Sequence, residues 1–255
     1  MKNRNYQTRG IVLKQRPMGE ANRVVTLYTE TSGKIAAIAR GSRKPGSKLG
    51  GNLELLNLVE ISLGRGRSLD HITECAVLDR YRYLREDLAK IAHGVYLAEL
   101  CDAFGEERSS NPNLFRLLKD TLNLLDKEEF YNLIMRKFEM QLLLHCGFYP
   151  ELNECVECRY KLQPKICAFA PSLGGVICSD CESEIGEFKI KLSVPGMKLL
   201  RYVQRSNGNQ NAVSTMRIPQ EVSKEIQNVL KTYLEFIMEK KIKSTTFLNL
   251  VSNRN

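Results

Sequence analysis

The sequence is poor in the residues and motifs that carry most enzyme chemistry. It holds three histidines, His71, His93 and His145, and none stands in a motif with an acidic or nucleophilic neighbour. His93 falls on an apolar stretch of helical period, where a packed or hydrogen-bonded imidazole is the simplest expectation. No Gly-x-x-x-x-Gly-Lys-Ser/Thr string occurs, so a nucleotide-hydrolysing phosphate loop is not expected. Gly64-Arg-Gly-Arg67 lacks the strand and helix of a dinucleotide fingerprint and reads as a turn. Glu106-Glu107 and Glu128-Glu129 read as solvated charges near helix ends. There is no run of about 18 apolar residues, the length a membrane-spanning helix needs. The start, Met1-Lys-Asn-Arg-Asn-Tyr6, is basic without the apolar stretch of a secretory signal. These absences argue against an enzyme and for a cytoplasmic protein without membrane association.

Cysteine is the residue present in excess. Of eight, four form two pairs, Cys155-Val-Glu-Cys158 and Cys178-Ser-Asp-Cys181, with nineteen residues between them. Each Cys-x-x-Cys makes a tight knuckle that points two sulfurs at one ion, and two knuckles close a tetrahedral zinc site. Four sulfur ligands leave no open position for water, so the zinc expected here is structural. Disulfide or redox pairing is the weaker reading for a cytosolic chain. Gly174-Gly175 supplies a turn before the second knuckle, and the intervening residues are long enough to run out and back as short strands. Cys75, Cys101 and Cys146 lie in apolar contexts and read as small buried hydrophobes. Cys167 is isolated, and His145-Cys146 belongs to no paired knuckle.

The net charge of +9 is unevenly placed. Residues 1–70 hold 13 Lys/Arg against 5 Asp/Glu, residues 71–150 hold 10 against 13, and residues 151–255 hold 15 against 11. A basic N-terminal segment points to a polyanionic partner, most simply nucleic acid; solubility alone would also account for exposed charge. The candidate contacts are Lys14, Arg16, Arg23, Lys34, Arg40, Arg43, Lys44, Lys48, Arg65 and Arg67. The loop Arg40-Gly-Ser-Arg-Lys-Pro-Gly-Ser-Lys48 combines charge with backbone exposure and can follow a phosphate chain. It carries no base-reading logic, so recognition should be largely independent of sequence. Tyr6 and Tyr28 are candidates for stacking on bases, although an aromatic in such a strand is more often core.

Along the chain, five β-rich stretches come first: Tyr6 to Pro17, Arg23 to Thr29, Lys34 to Arg40, Leu55 to Leu63 and Ser68 to Val77. Turn signals separate them, and the segment Gly41–Gly51 reads as a polar loop. Five short strands at this spacing predict a small closed barrel of the oligonucleotide-binding (OB-fold) size, with an SH3-like barrel as the near alternative. From Leu84 the period becomes helical, through Leu88, Ile91, Val95, Leu97 and Leu100. Further helices are expected from Leu114 to Leu125 after the Asn111-Pro112 start, and from Glu128 to Leu144 with Phe130, Leu133, Ile134, Phe138 and Leu142 on one side. Gly147 and Pro150 end the latter. After the zinc segment, helices are expected over Ser193–Arg205 and Pro219–Lys240, the latter carrying Val222, Ile226, Val229, Tyr233 and Phe236. An Asn/Gly-rich linker, Asn207–Asn211, separates them, and a short apolar piece from Phe247 closes the chain. The expected architecture is α+β and multi-domain: residues 1–80 as the OB-fold, and 81–255 as a helical domain with a zinc insertion at about 150–190.

Several strings, taken in order, carry a resemblance. They are Thr8-Arg-Gly-Ile-Val-Leu13, Gly19-Glu20, Val24-Val-Thr-Leu-Tyr-Thr29, Gly33-Lys34, Ala39-Arg-Gly-Ser-Arg-Lys44, Leu53-Glu54 and Leu56-Asn57. Leu143-Leu-His-Cys-Gly-Phe-Tyr-Pro150 then leads into the two knuckles. With the cysteine spacing, the chain resembles the RecO family of bacterial recombination mediators, from about residue 6 to residue 250. The resemblance implies a non-enzymatic protein of the RecF pathway with an OB-fold followed by a helical domain carrying the zinc module. It implies binding to single- and double-stranded DNA, annealing of complementary strands, and partnership with RecR. It also implies contact with the acidic C-terminal tail of single-strand-binding protein, helping RecA load onto coated DNA, and a nucleoid-associated location. The family's basic barrel surface falls on Arg40, Arg43, Lys44 and Lys48. Some relatives lack the cysteines, which implies that the metal is a stabiliser. A zinc-ribbon adaptor docking on an acidic protein partner through the same basic surface is the rival reading from composition alone.

Overall fold

A computed structural model describes residues 5–129, 131–206 and 218–252. The Asn207–Asn211 linker and Phe130 lie outside them. The chain forms two compact units, Met1–Lys127 with Ile242–Asn255, and Glu128–Lys241. The first compact unit runs past residue 80 through the next helices and takes in the last one.

The first unit is built on β1 (Asn5–Met18), β2 (Asn22–Thr29), β3 (Gly33–Ala39), β4 (Leu58–Gly64) and β5 (Asp70–Asp79). They close in the order β1-β2-β3-β5-β4. The closing pair β3/β5 is parallel and short, Ala37 opposite Asp70 and Ile38 opposite His71. This is the topology of the five-stranded oligonucleotide-binding barrel. β1 serves two neighbours, β4 along its first half and β2 along its second, and a register shift between Val12 and Lys14 bends it from one to the other. The interior alternates large and small side chains, as a tapering barrel requires: Leu27 and Ile35 stand beside Ala37 and Ala39, all four buried.

The segment expected as a plain loop, Gly41–Gly51, holds a short helix, α1 (Lys48–Asn52). Ser47 caps it by accepting the Gly50 N–H at 3.2 Å, a local bond that propensity reading does not weigh in so glycine-rich a segment. The expected single helix from Leu84 is two, α2 (Arg82–Glu86) and α3 (Leu88–Phe104). Asp87 stands extended between them and accepts the N–H groups of Ala89 and Lys90 at 2.7 and 3.2 Å. Leu88, in this first turn, is exposed rather than core. α4 (Pro112–Lys127) begins at the proline, as expected.

α3 packs on β1 and covers part of the barrel's outer face. Ile11 and Tyr28 are opposite each other in the β1/β2 ladder and both are buried. Gly105, at the end of α3, presses so close to the Tyr28 ring that a Cβ there would lie 2.6 Å from it. Tyr28 is core, and stacking on a base is excluded for it.

The second unit contains α5 (Asn132–His145), β6 (Cys167–Ala170), β7 (Gly175–Ile177), α6 (Ser179–Glu182), β8 (Ile190–Leu192), α7 (Val194–Arg205) and α8 (Gln220–Met238). α5 starts four residues later than expected and leaves Glu128 and Glu129 outside. It packs against α7 and α8, and it is buried on nearly every side, with an internal Arg136–Glu139 ion pair at 2.8 Å. The sheet order is β7-β6-β8. Ser193 caps α7 and is itself held by the Glu225 carboxylate of α8. On α8 Ile226, Val229 and Tyr233 are buried as expected, but Phe236 is exposed. The closing apolar piece is a helix, α9 (Ser244–Ser252), packed on α3 in the first unit.

Candidate nucleic-acid interface and metal centre

Strand pairing collects the basic residues that sequence leaves scattered. Pro17 is opposite Arg23, and Arg23 is opposite Ala39. Arg16, Arg23 and Arg40 therefore fall within about two strand spacings, roughly 10 Å. The loop after β3 is stitched onto the β1–β2 turn by three bonds. Gly41 N donates to Asn22 Oδ1 at 2.9 Å, Arg43 N to Ala21 O at 3.0 Å, and Arg43 Nη1 to Gly19 O at 2.8 Å. This brings Arg43 and Lys44 beside Arg23 around an open cleft of about 620 Å³, with Gln15 and the backbone of Gly46, Gly50 and Gly51 on its walls. One carboxylate, Glu54, lines it as well. Lys48 opens α1 and is exposed. Such a cleft suits a phosphate chain: several cations and exposed backbone on a mostly polar wall.

The other four candidates lie elsewhere. Arg65 and Arg67 occupy the β4–β5 turn beside the start of β1, where Asn5 is opposite Gly64. Arg65 stacks over the Tyr6 ring at 5.4 Å. Tyr6 is half-buried, and its hydroxyl donates to Asp70 Oδ2 at 2.6 Å. The Asp70 side chain is 1% exposed and also accepts Arg108 Nη1 at 3.2 Å and Gly66 N at 3.2 Å. Burial alone would push this carboxyl up; the bonds from Tyr6, Arg108 and Gly66 outweigh it and hold the pKa below the ordinary value. Burial, reinforced by the bond to Asp70, pushes Tyr6 up to about 12. Lys14 and Lys34 face Asp102 of α3. Lys34 is largely withdrawn from solvent, its Nζ donating to Asp102 O at 2.5 Å.

In the second unit the four paired cysteines meet, and the sulfurs all lie within 4.8 Å of one another. Cys158 and Cys178 Sγ are 3.8 Å apart, the edge of a tetrahedron of about 2.3 Å metal–sulfur bonds. The first knuckle is closed by Cys155 N to Tyr160 O and Arg159 N to Cys155 O, both 2.9 Å. It is pinned to β7 by Val156 N to Val176 O at 2.9 Å. That approach requires glycine at 175, where a Cβ would lie 2.5 Å from Val156 Cγ1. In the second knuckle Cys178 stands at the N-cap position of α6, and its N–H points at Cys155 Sγ at 3.4 Å. Burial opposes the Cys155 thiolate, but backbone N–H groups of Cys178, Cys158 and Glu157 outweigh it and lower its pKa to about 6. Cys181 is pushed up, first by its hydrogen bond with Cys178. Four crowded sulfurs cannot all ionise without a cation among them, and a divalent ion is the group this arrangement fits, zinc included. Among the described residues these cysteines are the one such cluster. Cys167 is buried in β6 against Leu192 O instead, and Cys75 and Cys146 are half-buried rather than core.

The family described as Recombination protein O N terminal matches residues 1–81, and Recombination protein O C terminal matches residues 85–246. A DNA repair protein RecO of Dehalococcoides mccartyi is 35% identical over 246 residues, 96% of this chain and 95% of the relative. Those of Roseiflexus sp. and Symbiobacterium thermophilum are 34% and 33% identical over 249 and 247 residues. For these two the match covers 98% and 96% of this chain, and 87% and 96% of theirs. The chain belongs to the RecO family.

RecO membership places the chain in DNA recombination and repair. The resemblance drawn from the strings of the barrel is thereby established over nearly the whole length. None of the described helices is long and apolar enough to cross a membrane. Three residues of this chain with defined geometry have no signal in the sequence: Asp102, Arg108 and Glu99. Each is a charged group near the end of, or just beyond, α3, and only the fold pairs it with strand residues or a distant helix. No local pattern announces them.

Proposed function

We propose that this RecO family member is a non-enzymatic DNA-binding mediator of the RecF pathway. In this reading the basic end of the barrel binds the phosphates of single- and double-stranded DNA, and release of their counterions supplies most of the affinity. Neutralising phosphates also lowers the repulsion between complementary strands, so the same surface promotes annealing. With RecR, and through the acidic C-terminal tail of single-strand-binding protein, the protein helps RecA load onto coated DNA in the nucleoid. The observation that carries the reading is the convergence of Arg16, Arg23, Arg40, Arg43, Lys44 and Lys48 on one end of the barrel. Strand register and the stitched loop after β3 fix that convergence. The non-enzymatic assignment rests on the family and on a cleft whose lining pairs several cations with a single carboxylate.

The cysteine cluster is assigned one structural zinc, held by Cys155, Cys158, Cys178 and Cys181. The ion supplies charge compensation and cross-linking to a corner with a small core of its own. An annealing assay on complementary oligonucleotides coated with single-strand-binding protein, with and without RecR, tests the function. Accelerated annealing is expected. Binding of acidic peptide but no annealing and no retention of DNA on filters would favour the adaptor reading instead.

A further inference from the structure

Two cations expected at the DNA, Lys14 and Lys34, face an anion of this chain's own. Both project from the barrel's outer ladder: Lys14 is opposite Thr26, Thr26 is opposite Ala36, and Lys34 is opposite Tyr28. α3 crosses this ladder and sets Asp102 between them, with Lys34 Nζ 3.7 Å from Oδ1 and Lys14 Nζ 4.0 Å from Oδ2. The two lysines are not equivalent. The Lys34 side chain is 16% exposed and also bonds the Asp102 carbonyl, so it belongs to the clasp between α3 and the barrel. Lys14 is 62% exposed, and its long contact to Asp102 is the one ion pair it makes among the described residues. Asp102 itself is a third exposed, near the end of α3 beside the β1–β2–β3 ladder.

We infer that Asp102 is a fixed anion that competes with DNA phosphate for Lys14, and so sets the DNA affinity of this protein below what its cations would give. The inference rests on the DNA-binding reading above and adds to it a determinant of affinity. A carboxylate held at one edge of a basic surface repels an approaching phosphate and already holds the counter-charge that the phosphate would supply. Removing its charge while keeping its shape should free one lysine for a phosphate. The bond from Lys34 to the Asp102 backbone survives that change, so the helix stays in place.

The test is the salt dependence of binding to a short single-stranded DNA oligonucleotide by the full chain and by D102N. D102N is expected to bind roughly three- to tenfold more tightly at 50 mM salt, with a log–log slope steeper by about 0.7, the value for one single-strand phosphate. Adding K14Q to D102N should abolish the gain. K14Q alone, with Asp102 present, should flatten the slope by much less than about 0.7, and this arm stands even where D102N folds poorly. An unchanged or weaker affinity in a D102N protein of wild-type melting temperature overturns the inference. So does a gain that survives K14Q, or a slope flattened by one whole phosphate in K14Q alone. If the wild type binds DNA in a salt-sensitive way and D102N is inert, only this inference falls. If the wild type does not bind DNA, the proposed function falls with it.

Discussion

The Glu99 carboxylate accepts the backbone N–H of Ser244 at 2.8 Å and that of Lys243 at 2.9 Å. A side chain of α3 thus caps α9, 145 positions further along the chain, as an aspartate at an N-cap would from within its own helix. This bond is one reason the last helix joins the barrel's unit. Glu99→Ala should cost about 1 kcal/mol, the usual worth of a cap. Hydrogen exchange should show it first in the amides of α9. Exchange in α9 unchanged from the wild type would mean that packing alone holds the helix.

The buried ion pair of α5 makes a stronger prediction. Arg136 and Glu139 are almost fully enclosed, at 9% and 0% side-chain exposure. Removing one partner strands the other in a low-dielectric site, and such losses run to about 3–5 kcal/mol. Glu139→Ala should lower the denaturation midpoint accordingly, while Arg82→Ala, which removes an exposed i,i+4 pair with Glu86, should cost well under about 1 kcal/mol. Equal effects in the two variants would contradict the burial argument.

Asp70 links stability to acid. Its folded pKa lies below the ordinary 3.8, so its contribution is complete above that pH and is lost as pH falls through the lowered folded value. Tyr6 acts at the other end of the scale. Raised from 10.0 to about 12, it contributes fully below pH 10 and loses that contribution as pH rises through its folded value. Asp70→Asn should therefore be less stable than wild type at neutral pH and show a flatter loss of stability below pH 3.8. Tyr6→Phe should cost about 1.5–3 kcal/mol, as hydrogen bonds to charged groups do. Urea midpoints measured across the acid range check both, and parallel pH profiles for wild type and Asp70→Asn would refute the assignment.

Removing a knuckle sulfur should release the metal. Cys155→Ala and Cys178→Ala are each expected to lose zinc stoichiometry in elemental analysis and to melt at lower temperature. Metal binding contributes on the order of 10 kcal/mol in isolated zinc modules, and the helices around this one should moderate the global effect. Full metal content in both variants would remove the four-cysteine assignment.

What was legible in the sequence follows from the range of the forces involved. The barrel strands are local, marked by β-branched runs and turn residues, and the five barrel strands of the structure match them in count and order. The cysteine knuckles are two local turns whose spacing alone implies that they meet. Helix boundaries failed where a single side chain decides them: Asp87 splits one expected helix, and Ser47 builds one inside an expected loop. The DNA surface was legible as charge but not as geometry. Nothing local distinguishes Lys44, which lines an open cleft, from Lys34, which a helix residue 68 positions away has claimed. For Tyr28 the sequence favours core over stacking, and only the fold decides it, by laying Gly105 against its ring.

The central claim is that the cations around the cleft between the β1–β2 turn and the loop after β3 hold DNA phosphates. Arg43 also braces the loop through Gly19 O, so the cleanest variant leaves it in place and neutralises its neighbours, as R23Q/K44Q/K48Q. Binding of this variant and of the wild type to a single-stranded oligonucleotide, followed from about 50 to 200 mM salt, measures directly how many phosphates the protein neutralises. The log–log slope is expected to fall by about 0.7 for each phosphate no longer neutralised, about two units in all for three side chains, with affinity reduced at every salt concentration. A folded triple variant with the wild-type slope and affinity would contradict the account and move the DNA site off this end of the barrel.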